Sequence, residues 1–141
     1  LITLKVLWRF IMRNNLDSFE SVLAFVIYIA LQDKVFSDEE RNALLLDVPL
    51  IKRFYFDCYG EFIKSDAIEQ VNDLEKKLLK LKFLFGRDIS EKEEIFIKSL
   101  IDGSQVRNLA LLISRHVAKS DGFHFKEESK YNHWSRTFSQ L

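Results

Sequence analysis

The sequence predicts an all-α protein: a single compact bundle of about seven helices, built from two pseudo-symmetric repeats. Three observations lead there. Apolar residues recur at helical spacing along most of the chain, punctuated by residues suited to helix capping. One proline and four glycines leave few breaks, and no two segments read as a strand pair. Finally, two acidic turns align without a gap. Ile29 to Glu40, IALQDKVFSDEE, lies on Val117 to Glu128, VAKSDGFHFKEE, with Ala30 on Ala118, Asp33 on Asp121, Glu39 on Glu127 and Glu40 on Glu128.

With 141 residues, 48% of them apolar, the chain suits one domain (1–141) with a real core. Its 21 basic and 21 acidic residues cancel, and no RNA-binding or zinc-finger signature occurs, so nucleic acid is not the expected partner. Cys58 is the only cysteine. It forms no internal disulfide, fits a reducing, cytoplasmic compartment, and reads as a small packing residue.

The chain opens LITLKVLWRFIMRNN without a methionine, which suggests a missing native N-terminus or a domain cut from a longer protein. Leu4, Leu7, Trp8 and Ile11 make a helical stripe, with Lys5, Arg9 and Arg13 among them. A first helix packed on the domain is favoured over one lying on an anionic membrane, and a signal peptide would carry its charges before the apolar run. Asp17 and Glu20 suggest a capping box. The run Val22 to Leu31 is apolar on every side, hence a buried central helix, and falls short of the roughly 20 residues needed to span a bilayer. Ser37 and Glu40 form a second capping box, opening a helix with Ala43, Leu44 and Leu45, and Pro49 marks its end or the start of the next.

Leu50 to Ile63 carries Phe54, Tyr55, Phe56, Tyr59 and Phe62; helical neighbours favour helix over strand. Ser65 or Asp66 caps the following helix. Its apolar stripe is Ile68, Val71, Leu74, Leu78 and Leu81, its solvated face holds Lys76, Lys77, Lys80 and Lys82, and Gly86 ends it. Ser90 and Glu93 open a helix burying Ile95, Phe96 and Leu100. After Asp102 and Gly103, Ser104 opens a second central helix with Leu109 to Ala118 buried. Tyr131, Trp134 and Phe138 share one face and dock the last helix on the core.

The acidic turns carry what chemistry the sequence offers. An aspartate beside a helix start with two glutamates can gather carboxylates around a hard cation, with carbonyls or water completing the six to eight oxygens of calcium or the octahedron of magnesium. The same residues also suit capping alone: Asp33 and Asp121 accept local N–H bonds, while Glu40 and Glu128 sit at positive helix ends. Gly122 permits the positive φ of a tight turn, whereas Lys34 sets a positive charge beside Asp33. The second turn, with Asp121 and Glu128, is therefore the better of two expected sites.

Asp33, Phe36, Ser37, Glu39 and Glu40, and again Ala118, Asp121, Gly122, Glu127 and Glu128, fit a turn of the form A-x-A-D-G-x-I-x-x-x-E. In this the chain resembles the TerB-like domains of tellurite-resistance proteins and of some membrane-anchored J-domain co-chaperones. Lys34, His124 and Phe125 depart from that pattern. The resemblance implies an all-helical pseudo-twofold domain, a stress-response assembly with a protein partner, and divalent-cation binding by Asp33, Glu39, Glu40, Asp121, Glu127 and Glu128, with calcium and magnesium as candidate ions.

Other chemistry finds little footing. His116, His124 and His133 match no zinc spacing, and no phosphate loop, nucleophile elbow or oxyanion donors accompany the carboxylates, so no enzyme is expected. The competing expectation is a protein-interaction or membrane-proximal adaptor without metal, working through the basic N-terminal helix or the aromatic segment around Tyr55 and Tyr59.

Overall fold

The computed structural model describes residues 16–140. Among these residues, six α-helices, α1 (Phe19–Ala30), α2 (Asp38–Tyr59), α3 (Ala67–Leu79), α4 (Glu91–Leu100), α5 (Ser104–Lys119) and α6 (Phe125–Ser139), are joined by loops and by 3-10 turns at Leu31–Asp33 and Lys82–Phe85. There is no strand among the described residues. The expected first helix, with Leu4, Leu7, Trp8 and Ile11, lies outside them. Among them, no helix is long and apolar enough to cross a membrane.

α1 is the axis of the bundle. Every residue in it except Glu20 is buried, as a helix apolar on all sides requires, and all five other helices touch it. Each large apolar side chain so buried contributes about 1.5–3 kcal/mol. α5 packs against α1, α2 and α6 at once. It differs from expectation in burying one face only: Val106, Leu109, Ala110, Ile113, Val117 and Ala118 face inward, while Leu112, Arg115 and His116 face solvent. α6 docks through Tyr131, Trp134 and Phe138, all buried. The Phe138 ring lies 5.8 Å from Phe25 and 5.5 Å from Trp134.

Several boundaries correct the sequence reading. Pro49 neither ends nor starts a helix but sits inside the 22-residue α2, on the exposed face, where water can serve the carbonyl that loses its donor. Gly60 in the left-handed region ends α2, so Glu61 to Ile63 are not helical, and Tyr55 is buried with its hydroxyl donating to the Asp17 carbonyl at 2.6 Å. Asp66, not Ser65, caps α3, which ends at Leu79 instead of running to Gly86. Ile68 and Ile95 are exposed, and Ile97 takes the core position expected of Ile95. Cys58 is exposed rather than packed.

Asp17 does not open a capping box with Glu20. Ser18 caps α1 by accepting from the Ser21 N–H, while Asp17, at φ 64°, reaches across the fold. Its carboxylate accepts from the N–H groups of Asp102 (2.7 Å) and Gly103 (3.0 Å), and its own N–H donates to the Leu100 carbonyl at 2.9 Å. It thus ties the start of α1 to the turn that leads into α5, whose N-cap Gly103 has no side chain to offer.

A polar chain runs through the core beneath α6. Ser90 accepts from the Glu93 N–H at 3.2 Å, as expected, but the Glu93 side chain turns inward instead of back to Ser90. Its carboxylate accepts from both Lys130 Nζ and the Tyr28 hydroxyl, while Lys130 also donates to the Leu84 carbonyl at 3.1 Å and Trp134 Nε1 donates to Tyr28 at 2.9 Å. Desolvation, the largest cause, pushes the Glu93 carboxyl up, and the bonds from Lys130 and Tyr28 offset part of that. Such a pair adds little net stability, yet removing one member strands the other charge in the core. Lys130→Met is therefore expected to lower unfolding free energy by about 3–5 kcal/mol. Adding Glu93→Leu should recover most of the loss, with urea denaturation of the single and double variants as the measurement.

Candidate metal centre

The two acidic turns follow α1 and α5 and lead into α2 and α6. Lys34 (φ 66°) and Gly122 (φ 88°) both take left-handed backbone, free for glycine and strained by about 1–3 kcal/mol for lysine. At the start of α2, Ser37 Oγ accepts from the Glu40 N–H at 3.1 Å and Glu40 Oε1 accepts from the Ser37 N–H at 3.0 Å, the expected capping box. At the start of α6, His124 holds the position of Ser37, and Glu127 Oε1 accepts from the His124 N–H at 3.2 Å. The structural counterpart of Glu40 is therefore Glu127, not Glu128. Each turn has a left-handed residue, Lys34 or Gly122, and the N-cap follows three residues later at Ser37 but two residues later at His124.

This register brings residues of both turns into one place, where the sequence suggested two separate sites. One oxygen each from Glu40, Asp121 and Glu127 lie within 4.8 Å of one another, and so do ligand atoms of Asp33, His124 and Glu127. Glu40 and Glu127 are fully buried, the Asp121 and Asp33 side chains are 16% and 26% exposed, and His124 is 49% exposed at the rim. Glu39 and Glu128 point into solvent, outside the cluster. Lys34 is exposed and makes no ion pair with Asp33 among the described residues; Asp33 Oδ1 accepts instead from the Val35 N–H at 3.0 Å.

Glu40 Oε2, Glu127 Oε2 and Asp121 Oδ1 are buried without a hydrogen-bond partner. Among the described residues no lysine or arginine pairs with any of them; His124, which can carry positive charge, has Nε2 3.9 Å from Asp121 and 3.8 Å from Asp33. The N-termini of α2 and α6 supply only partial positive charge. Desolvation first, then the facing Glu40 carboxylate, push Glu127 up to about 10. Desolvation likewise raises Glu40, offset in part by adjacent Glu127 and by the N–H of Ser37. Without a cation, the pair keeps a proton that two isolated glutamates would have lost.

The remaining histidines and the cysteine are elsewhere. His116 Nδ1 meets Asp47 at 2.6 Å, His133 stacks edge-on against Trp134, and neither these nor Cys58 enters a cluster of three ligands among the described residues. His124 was legible as a departure from the turn pattern but not as part of the site; its spacing of three from Glu127, like Ser37 from Glu40, was the available signal. Compared with protein-family models, characterised proteins and solved structures, the chain matches none of them.

The raised Glu127 fixes a sign for pH dependence. Its proton-linked stability is fully present below the ordinary value of 4.5 and is lost as pH rises towards about 10, because the unfolded chain releases that proton first. Metal-free protein is expected to lose up to about 1.4 kcal/mol per pH unit from this group. Glu127→Gln, which mimics the protonated form, should remove that slope and make the metal-free variant more stable than the parent above neutrality. Denaturant titrations of both at a series of pH values measure the difference.

Proposed function

We propose that the chain is a non-catalytic, TerB-like helical module that binds divalent cation where its two acidic turns meet, through Asp33, Glu40, Asp121 and Glu127. The observation that carries this reading is the pair of fully buried glutamates, each with an unpartnered oxygen turned into a cluster that no lysine or arginine neutralises among the described residues. Burying such charge is costly unless it is paired or coordinates a metal. Two repeats related by a pseudo-twofold fit the matched features of the turns: left-handed Lys34 and Gly122, Phe36 and Phe123 against the core, and N-cap bonds to Glu40 and Glu127. The all-oxygen set suits calcium or magnesium. A place in a stress-response assembly of the tellurite-resistance kind follows from the turn motif.

A second reading, a protein-interaction module that needs no cation, draws support from Leu46, Leu50, Phe56, Tyr59 and Phe62, all exposed on α2 and just beyond it. Cation titration separates the two.

Calcium or magnesium that binds only the folded state should raise stability by about 2.7 kcal/mol at about 100 times its dissociation constant, or several degrees in Tm. Asp121→Asn and Glu127→Gln are expected to abolish most of that shift, and Glu128→Gln to leave it intact. A Tm of chelator-stripped protein that ignores millimolar calcium and magnesium would overturn the cation reading.

A further inference from the structure

The cluster divides into two overlapping groups of ligands. Its two ligand groups share a single residue, Glu127, whose carboxylate has two oxygens, and each group holds two residues the other lacks. One group, Glu40, Asp121 and Glu127, offers only oxygen. The other, Asp33, His124 and Glu127, adds an imidazole nitrogen. The His124 Nε2 atom lies 3.8 Å from Asp33 Oδ2 and 3.9 Å from Asp121 Oδ1. Both distances are too long for a hydrogen bond, yet two donors on one ion at about 2.0–2.2 Å are separated by at most about 4.4 Å.

Charge leads the same way. Asp33, Glu40, Asp121 and Glu127 are four carboxylates; one divalent ion would leave half their charge uncompensated around two fully buried side chains, whereas two would neutralise it. The unpartnered Oε2 atoms of Glu40 and Glu127, on residues with no exposed surface, mark the buried end of the cluster, and half-exposed His124 marks its open end.

We propose that the cluster is a dinuclear centre in which Glu127 bridges an inner position, completed by Glu40 and Asp121, and an outer position, completed by Asp33 and His124. The outer position takes a d-block divalent cation such as manganese or zinc, because imidazole nitrogen suits these ions and not calcium or magnesium. A shared carboxylate places such ions about 3.5–4 Å apart. The proposal rests on the cation reading above and assigns His124 a role of its own.

The test uses the full chain, stripped by chelator and dialysed against manganese(II) or cobalt(II). The parent should bind two ions per chain, and manganese should give the spin-coupled resonance spectrum of a close pair. His124→Ser repeats the residue that caps α2, so it preserves the helix start while removing the nitrogen ligand; a metal-free melt confirms the fold. It should bind one ion, lose the coupled spectrum, and keep the magnesium-dependent Tm shift. One ion per chain in the parent, with a cobalt spectrum unchanged by His124→Ser, would overturn the dinuclear proposal and leave the single-site reading standing. No ion at all would overturn both.

Discussion

A helix apolar on all its faces has to be surrounded, and that requirement on α1 shapes everything else in the molecule. Five helices cover its twelve residues, and the chain can leave it only by a sharp turn at either end. At the start, Ser18 and Asp17 manage the turn; at the finish, the 3-10 turn Leu31–Asp33 and left-handed Lys34 do so. The first acidic turn thus lies at the end of the most buried element. α6 packs directly against that 3-10 turn, which sets the second acidic turn beside the first. Carboxylates drawn from sequence positions far apart are then brought together, with ligand atoms within 4.8 Å of one another.

The core accommodates buried carboxyl groups in two ways. Glu93 is answered from within the chain: one oxygen accepts from Lys130 and Tyr28, while the other, Oε1, is buried without a partner. Glu40 and Glu127 face carboxylates instead, and among the described residues no lysine or arginine pairs with them. Both sets involve α6, whose inner face carries Glu127, Lys130 and Trp134 at helical spacing. The helix that docks the last apolar rings is therefore also the one that decides which buried acids are neutralised by the protein itself.

What the sequence made legible was local. The Ser37 to Glu40 box, the Asp66 cap, the apolar run of α1 and the Tyr131, Trp134, Phe138 face all depend on neighbours within a turn or two, and each is found in the structure. What escaped depends on distant partners. Asp17 resembles a cap for its own helix but binds the turn that leads into α5; Glu93 resembles half of a capping box but is held by Lys130. The step from Asp121 to the N-cap His124 is one residue shorter than that from Asp33 to the N-cap Ser37, and a gapless comparison therefore matched Glu128 to Glu40. Histidine is a poor capping residue, so nothing in composition marked His124 as the equivalent of Ser37. Ile68 and Ile95 fit apolar stripes but fall at the edge of the buried face, where solvent reaches them.

The order in which α1 and its coverings are made has a consequence for biosynthesis. α1 is encoded ahead of all five helices that bury it, and α6, which seals it with Trp134 and Phe138, comes last. At about 5–20 residues per second, a ribosome needs roughly 5–20 s to deliver the chain between them. During that interval a segment with no polar face is outside the tunnel or entering it, and of its described covers α2 and α3 come earliest. A provisional collapse with those two helices, or a chaperone that holds apolar chain, would cover it until α6 arrives.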